Sequence, residues 1–240
     1  MNILVTGGAS GLGKAITTLL AAESSSHVYF TYSHSKDKAR QIEIDFPNTS
    51  GIKCDFCISE DIAILTSKMP QMDLDVLINN AYANGIKTRH FHKINSSDIL
   101  EDFKNNIIPT VKITQEALRI FRKKRNGTIV TVLTAYLTNT PPTGLASYVA
   151  IKAFLEKLTK VWASENSKFQ ITSNSVSPSF MRSALTADTD ERVIENMVSM
   201  HPLKELLSPE EVAETIKFLV SASKNINGID LLMNAGDNIR

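Results

Sequence analysis

The fold is decided by one stretch near the start of the chain, Thr6-Gly7-Gly8-Ala9-Ser10-Gly11-Leu12-Gly13. It joins a short apolar run, residues 3–6, to the helix-forming residues 14–20. Glycines at a strand-to-helix turn permit unusual backbone angles and let a pyrophosphate approach the main chain. The N-terminus of the following helix adds free N–H groups and the positive end of a dipole. Any tight turn can collect glycines, but the strand before and the helix after favour a phosphate-binding turn.

Short apolar runs alternate with helix-length amphipathic segments along the whole chain. Runs rich in β-branched or aromatic residues and bounded by turn formers are typical of buried parallel strands. The sequence predicts such strands at residues 3–6, 28–32, 76–79 and 128–133, with weaker candidates at 171–176 and 229–233. Strand–helix alternation from end to end predicts one α/β domain over residues 1–240, with helices on both faces of a parallel sheet.

Two helices are predicted in more detail. Apolar residues at spacings of three and four form a stripe that we expect to face the core: Ile151, Phe154, Leu155, Leu158, Val161 and Trp162. Ser208-Pro209-Glu210-Glu211 combines an N-cap serine, a proline at the first helical position and a glutamate three residues after the cap. The helix that follows is expected to direct Val212, Ile216 and Leu219 inward.

Composition excludes several classes of protein. The 240 residues carry 26 basic and 25 acidic side chains, a net charge of +1 that gives no pull toward nucleic acid or an acidic membrane. No run of 18 apolar residues exists, so no transmembrane helix is expected. Cys54 and Cys57 are the only cysteines, which favours a reducing cytoplasm over a disulfide framework. Without a second pair or suitably spaced histidines, neither a metal site nor a redox pair is expected there.

Thr6-Gly7-x-x-x-Gly11-x-Gly13 resembles the cofactor motif of the short-chain dehydrogenase/reductase family, in its small single-domain branch. Further matches follow in the family's order. Asp55 resembles the aspartate that meets the adenine ring, and Asn79-Asn80-Ala81 the Asn-Asn-Ala-Gly motif that steadies the central strand. Tyr148-x-x-x-Lys152 resembles the catalytic pair. Pro178, with Ser179 and Phe180 behind it, resembles the Pro-Gly loop beside the nicotinamide.

The resemblance covers essentially the whole chain and implies a doubly wound parallel sheet (Rossmann fold). It implies hydride transfer between a nicotinamide cofactor and a carbonyl or secondary alcohol of a small molecule, in a homodimer or homotetramer. The cofactor would contact these residues: Thr6, Gly7, Ser10, Gly11, Leu12, Gly13, Asp55, Asn80, Ala81, Tyr148, Lys152, Pro178, Ser179 and Phe180.

The choice of cofactor depends on the end of the second strand. An acidic residue there would bind the ribose 2′-OH of NAD. The chain instead has Ser33, His34 and Lys36, with no carboxylate before Asp37. Hydroxyls and a cation suit a 2′-phosphate better, which favours NADP(H), with NAD(H) as the alternative. Ser10 stands where many NADP-preferring relatives carry a basic residue, and Lys36 could simply face solvent.

The catalytic residues are predicted from spacing and from the resemblance. Tyr148 and Lys152 are four apart on a predicted helix, so they project from one face. A lysine cation one turn away is expected to favour the phenolate and lower the pKa of Tyr148. By resemblance, Thr134 takes the place of the serine that polarises the substrate oxygen. Asn106 matches the asparagine of the proton relay, with Asn105 one place away.

Three departures from the family pattern lie near the nicotinamide end. Tyr82 and Ser179 replace glycines, and Thr134 replaces serine. They predict a narrowed pocket, or a cofactor-binding sensor or structural subunit with little catalysis. Another alternative is a 3-ketoacyl-carrier-protein ketoreductase whose carrier docks on the basic residues 119–125, although a helix C-terminus also collects cations. Residues 180–205, with several apolar side chains, are predicted to form a substrate lid.

Overall fold

The fold is that of a computed structural model, which describes residues 1–181 and 190–237. The strands in these ranges are β1 (Asn2–Val5), β2 (His27–Tyr32), β3 (Thr49–Lys53), β4 (Val76–Asn79), β5 (Gly127–Val132), β6 (Ile171–Pro178) and β7 (Asp230–Met233). The α-helices are α1 (Gly11–Ala21), α2 (Lys36–Asp45), α3 (Ser59–Lys68), α4 (Ser96–Lys124), α5 (Ala146–Asn166), α6 (Glu191–Met200) and α7 (Pro209–Ser221).

The strands form one sheet in the order β3-β2-β1-β4-β5-β6-β7, and every neighbouring pair is parallel. From β1 the chain builds the sheet outward through β2 to β3, then returns to the other side of β1 and builds through β4 to β7. This reversal leaves a crevice at the carboxyl ends of β1 and β4, where ligands bind in sheets of this kind. The predicted doubly wound parallel sheet is confirmed.

Helices cover both faces of this sheet. On one face, α1 packs over β1 and β2 and α7 packs over β5 and β6, which buries side chains such as Ile16 and Ile216. On the other, α3 and α4 bury side chains such as Leu65 and Phe121. The cap of α7 is as predicted, since Ser208 and Glu211 form a reciprocal capping box. Val212, Ile216 and Leu219 are buried, which confirms the inward face of this helix.

Six of the seven strands are predicted by the sequence, with ends within two residues of those observed. The exception is β3, whose sequence Thr-Ser-Gly-Ile-Lys contains a glycine and few apolar residues. It lies at the edge of the sheet beside β2 alone, and most of its side chains are partly exposed. An edge strand needs no continuous apolar run, so the pattern that finds buried strands does not detect it.

The predicted core stripe of α5 is wrong in part. Ile151, Leu155 and Trp162 are buried, but Phe154 and Val161 are 43% and 44% exposed. At about 100° per residue, these two lie roughly 60–80° around the helix from Ile151, beyond the face that meets the sheet. The Phe154 ring instead packs edge-on against Phe103 of α4, with ring centroids 5.2 Å apart. The two helices therefore share a partly exposed apolar surface.

The predicted lid lies only partly within the described residues. Leu185 and the rest of residues 182–189 fall outside them. Of the described part, Met181 and Ile194 are buried, whereas Val193 and Met200 are exposed. The lid therefore remains a prediction. Within residues 1–181 and 190–237, no helix combines the length and apolar character needed to cross a bilayer.

Candidate active site

The predicted site residues follow the carboxyl ends of six strands. Because the strands are parallel, these ends meet at one edge of the sheet. The residues that the sheet brings to this edge are Thr6 and Gly7 after β1, Ser33 and His34 after β2, Asp55 after β3, Asn80 and Ala81 after β4, Thr134 after β5, and Ser179 and Phe180 after β6. Their order along the edge matches the sheet order, so the predicted constellation is brought together.

The glycine turn has the geometry of a backbone cradle. Gly7 adopts a φ of +67°, and a Cβ added at Gly13 would lie 2.0 Å from the Gly7 carbonyl oxygen. Only glycine fits a contact this close. Helix α1 begins at Gly11, so the N–H groups of its first turn, including that of Leu12, have no intrahelical acceptor. Ser10 is the N-cap, but its side chain makes no capping hydrogen bond. These features fit a bound phosphate.

A second network fixes the segment after β4 against this turn. The backbone N–H groups of Asn80 and Ala81 donate to Thr6 Oγ1, at 2.9 and 3.0 Å. The Asn80 side chain donates to the Thr6 carbonyl oxygen at 2.9 Å. The ends of β1 and β4, which flank the crevice, are therefore held in one rigid arrangement.

Ser33, His34 and Lys36, which follow the end of β2, form a polar rim of the crevice. None of these three residues is a carboxylate. Ser33 and His34 are exposed, with His34 Nδ1 3.0 Å from Ser33 Oγ. His34 Nε2 lies 3.9 Å from a carboxylate oxygen of Asp55, which joins the ends of β2 and β3. Lys36 begins α2 and is exposed, and Asp37 lies within the first turn of that helix. Hydroxyl, imidazole and ammonium groups therefore follow the end of β2, with the Asp55 carboxylate beside the imidazole.

Tyr148 and Lys152 lie on the buried face of α5, as predicted from their spacing. They are only 8% and 4% exposed. Lys152 Nζ donates to the Val132 carbonyl oxygen at 2.7 Å, which ties the helix to the end of β5. The same nitrogen lies 5.8 Å from the centre of the Tyr148 ring.

Burial dominates the protonation of this pair. It raises the pKa of Tyr148 to about 12, against a lowering influence from a side-chain hydrogen bond with Thr134. It also lowers the pKa of Lys152 to about 8. The prediction that Lys152 lowers the pKa of Tyr148 is therefore wrong for this geometry. The reason is that both groups lose their hydration, which favours the neutral form of each.

Both ends of the Asn106 side-chain amide are hydrogen-bonded. Its Oδ1 accepts the backbone N–H of Ala83 at 2.7 Å, and its Nδ2 donates to the Asp102 carbonyl oxygen at 2.9 Å. These bonds fix the chain that follows β4 against α4. Asn105 is also buried but makes neither contact.

Three residues near the pair were not predicted. Tyr136 lies close enough for its charge to raise the pKa of Tyr148. Asp102 accepts a hydrogen bond from Ser147 Oγ at 2.7 Å and so joins α4 to the residue before Tyr148. The position of Tyr136 two residues after Thr134 could have indicated it. The sequence offers no comparable signal for Asp102 or Ser147, because only the packing of α4 on α5 brings them together.

The cysteines, histidines and acidic residues of the described ranges bear on metal binding and on thiol reactivity. Among residues 1–181 and 190–237, no three His, Cys, Asp or Glu side chains are grouped so as to hold a metal ion. Burial, with Asp61 and Asp55 nearby, raises the pKa of the Cys54 thiol to about 12. A thiol of that pKa stays protonated, whereas a redox pair requires a thiolate.

Known proteins resemble this chain over nearly its whole length. A family model described as "Enoyl-(Acyl carrier protein) reductase" matches residues 7–238. The 3-oxoacyl-acyl-carrier-protein reductase FabG of Aquifex aeolicus is 31% identical, covering 97% of this chain and 95% of its own. The FabG of Thermotoga maritima is also 31% identical, covering 91% and 89%. A solved structure titled "short chain dehydrogenase/reductase family protein" is 28% identical, with a TM-score of 0.86 over 98% and 96% of the two chains.

The parallel sheet, the glycine turn and the buried Tyr148–Lys152 pair define an α/β oxidoreductase. The chain belongs to the short-chain dehydrogenase/reductase family. The family model and the two relatives differ in the bond that their names say is reduced, since the model is described as an enoyl reductase and the relatives are named 3-oxoacyl reductases. These matches therefore identify the family but do not identify the substrate.

Proposed function

We propose that the protein transfers a hydride between NADP(H) and a carbonyl or secondary-alcohol group of a small molecule. The observation that carries this proposal is the buried Tyr148–Lys152 pair, placed beside Thr134 at the ligand-binding edge of the sheet. The same edge carries the glycine turn and the polar rim beyond β2, which together fit a dinucleotide.

The cofactor would be held mainly by the first half of the chain. Gly7, Ser10 and Gly13 would receive the pyrophosphate, supported by the cradle geometry and the start of α1. Ser33 and His34, with Lys36 behind them, would receive a ribose 2′-phosphate, which makes NADP(H) the favoured cofactor and NAD(H) the alternative. When bound, the nicotinamide supplies or accepts the hydride.

Tyr148 would act as the general acid in carbonyl reduction. Its raised pKa keeps the phenol protonated at neutral pH, which is the form that donates a proton to the developing alkoxide. Thr134 Oγ1 accepts the backbone N–H of Tyr136 at 3.4 Å, and its hydroxyl is also hydrogen-bonded with the Tyr148 side chain, which would let both hydroxyls meet one substrate oxygen. The Lys152 ammonium stabilises the phenolate that forms. Asn106 supports the proton path by fixing Ala83 beside the pair.

The test is oxidation of NADPH and NADH with a panel of carbonyl compounds, for wild type and Tyr148→Phe. We expect Tyr148→Phe to lower kcat/KM by about 100-fold or more, because proton transfer by a positioned side chain contributes that much. Tyr29→Phe, on β2 and away from the pair, removes the same hydroxyl and is the matched control. Undiminished turnover by Tyr148→Phe would refute the mechanism. No turnover with any carbonyl, together with tight NADPH binding, would favour the sensor alternative.

A cationic cleft supports the carrier-protein alternative as a more specific form of this function. Arg122, Lys168 and Phe169 line a surface cleft of about 410 Å³. The Arg122, Arg125 and Lys168 cations lie 4.9, 5.8 and 5.4 Å from the centre of the Phe169 ring. Such a patch suits an acidic protein surface, and two relatives are named as reductases of carrier-bound substrates.

The cleft lies at the amino ends of the strands, whereas Tyr148 lies at their carboxyl ends. Arg122 lies in the last turn of α4, which leads into β5, and Phe169 lies just before β6, whereas the Tyr148–Lys152 pair lies at the carboxyl end of β5. A carrier docked on the cleft would therefore have to deliver its substrate to another subunit. This requirement links the carrier-protein alternative to the oligomeric state.

We also propose that the chain forms a homodimer or homotetramer through α4 and α5. Leu100, Phe154 and Val161 support this, because these apolar side chains are exposed on the two helices. Sedimentation velocity would measure the assembly.

A cytoplasmic location is supported by Cys54 and Cys57, which are both unpaired and so need no oxidising compartment.

A further inference from the structure

Tyr82 is a bulky residue at the centre of the site. It follows β4 by three residues and lies next to Ala81, which is tied to the glycine turn. Its backbone position is further fixed because the N–H of Ala83 donates to Asn106 Oδ1. The chain on both sides of Tyr82 is thus anchored, which restricts how far its side chain can move.

The ring of Tyr82 packs directly on the catalytic pair. It meets the Tyr148 ring edge-on, with centroids 5.2 Å apart and planes at 72°. Lys152 Nζ lies 5.6 Å from its centroid, almost the same distance as from the Tyr148 ring. Edge-on aromatic pairs and cation–π contacts at these distances are each favourable, so both hold the ring in place.

The rest of the Tyr82 side chain is held by a small apolar cluster. Ile107 of α4, Leu133 after β5, and Ile151 and Leu155 of α5 form this cluster, and Tyr82 packs against it. A side chain that is anchored at its backbone and packed on a core cluster cannot swing away without losing those contacts. Tyr82 therefore acts as a fixed wall rather than a movable cover.

We propose that Tyr82 is a specificity-determining residue, whose ring excludes carbonyl substrates that are branched at the carbon next to the carbonyl group. This inference rests on the proposed function, because it assumes that the substrate oxygen accepts a hydrogen bond from Tyr148. A substrate placed in that way must lie alongside the ring that packs on Tyr148. A slender, unbranched chain fits beside a fixed aromatic wall, whereas an added methyl branch collides with it.

The test compares two β-keto esters, ethyl acetoacetate and its α,α-dimethyl derivative, in wild type, Tyr82→Gly, Tyr82→Ala and Tyr82→Phe. We expect wild type to favour the unbranched ester by about 10-fold or more in kcat/KM, as steric differences of one or two methyl groups do in packed pockets. Tyr82→Gly and Tyr82→Ala should lower this preference by about 10-fold, mainly through a lower KM for the branched ester. Tyr82→Phe keeps the ring and should retain the wild-type preference.

The outcomes separate this inference from the proposed function. If wild type turns over both esters and the Gly and Ala variants keep its preference, Tyr82 does not set specificity. If no variant, wild type included, oxidises NADPH with either ester or with any other carbonyl of the panel, the proposed function fails. Calorimetric binding of the two esters to the NADPH-saturated protein then decides the role of Tyr82. A gain in affinity for the branched ester in Tyr82→Gly supports the proposal that the Tyr82 ring excludes branched substrates. Unchanged affinities for both esters would overturn it.

Discussion

Replacing Lys152 by methionine should abolish reduction and yet stabilise the protein. Lys152 is 4% exposed, and its ammonium donates to the Val132 carbonyl oxygen without a carboxylate among its described contacts. An ammonium removed from water in this way destabilises the fold unless it is neutralised or fully paired. Methionine has a similar length and fills nearly the same volume, so the packing of α5 is retained.

The magnitude follows from the pKa of Lys152. Burial lowers it from 10.5 to about 8. At about 1.4 kcal/mol for each pH unit, the charged side chain destabilises the fold by about 3 kcal/mol at neutral pH. Loss of the hydrogen bond to Val132 offsets about 1 kcal/mol of the gain. The net stabilisation of about 2 kcal/mol should raise Tm by about 4–8 °C for a chain of this size.

The pH dependence has a definite sign. The folded-state pKa is lower than the unfolded one, so the destabilisation by Lys152 is fully present below about pH 8. It declines as pH rises from about 8 to 10.5, because the folded protein releases this proton first. Wild type should therefore approach the stability of Lys152→Met across that interval.

The assay is thermal unfolding of the cofactor-free proteins at about pH 7 and about pH 10. Lys160→Met on the same helix is the matched control, because its ammonium is half exposed and pairs with Glu156. We expect that control to change the free energy of unfolding by no more than about 0.5 kcal/mol. A Tm for Lys152→Met at or below that of wild type at about pH 7 would refute the reasoning, as would a gain that persists unchanged at about pH 10.

Two further predictions concern the polar residues after β2 and the cleft that contains Arg122. Ser33→Asp places a carboxylate at the end of β2, where it repels a 2′-phosphate and accepts from a ribose hydroxyl. It should lower the ratio of kcat/KM for NADPH to kcat/KM for NADH by about 10-fold or more. An unchanged ratio would contradict the proposal that the residues after β2 bind the 2′-phosphate. Arg122→Glu should slow reduction of a carrier-linked 3-oxoacyl chain but spare ethyl acetoacetate. Lys217 of α7, paired with Glu23 and outside residues 119–125, provides the control variant Lys217→Glu, and equal effects of both would argue against docking.

Most of the fold could be predicted because its strands are buried and parallel. Residues 76–79 and 128–133 are short apolar runs between turn formers, and both correspond to central strands. Edge strand β3 lacks that pattern, and so its bounds could not be predicted. The exposed side chains of Phe154 and Val161 show a second limit. Helical spacing indicates which residues share a stripe, but the width of the neighbouring surface determines how much of that stripe is covered.

The candidate site could be predicted as a set of residues but not as an electrostatic environment. The order of motifs placed the glycine turn, Asn80 and Thr134 at strand ends, and parallel strands bring such ends together. The pKa of Tyr148 depends instead on how completely α5 is buried and on which groups its hydroxyl meets. Spacing alone predicted a lowered pKa from the neighbouring lysine, whereas desolvation, which only tertiary packing determines, reverses the direction.

The opposed pKa shifts of Tyr148 and Lys152 bear on how the site would accelerate reduction. Before proton transfer, Tyr148 is a neutral phenol and Lys152, with a pKa of about 8, is largely a buried ammonium with no carboxylate among its described contacts. After Tyr148 has donated its proton, the phenolate and the ammonium become opposite charges within one buried cluster. Their attraction is strong there because little water screens it. On the proposed mechanism, the pair would therefore stabilise the charge that develops during the reaction more than the starting state, which is the condition for lowering a barrier.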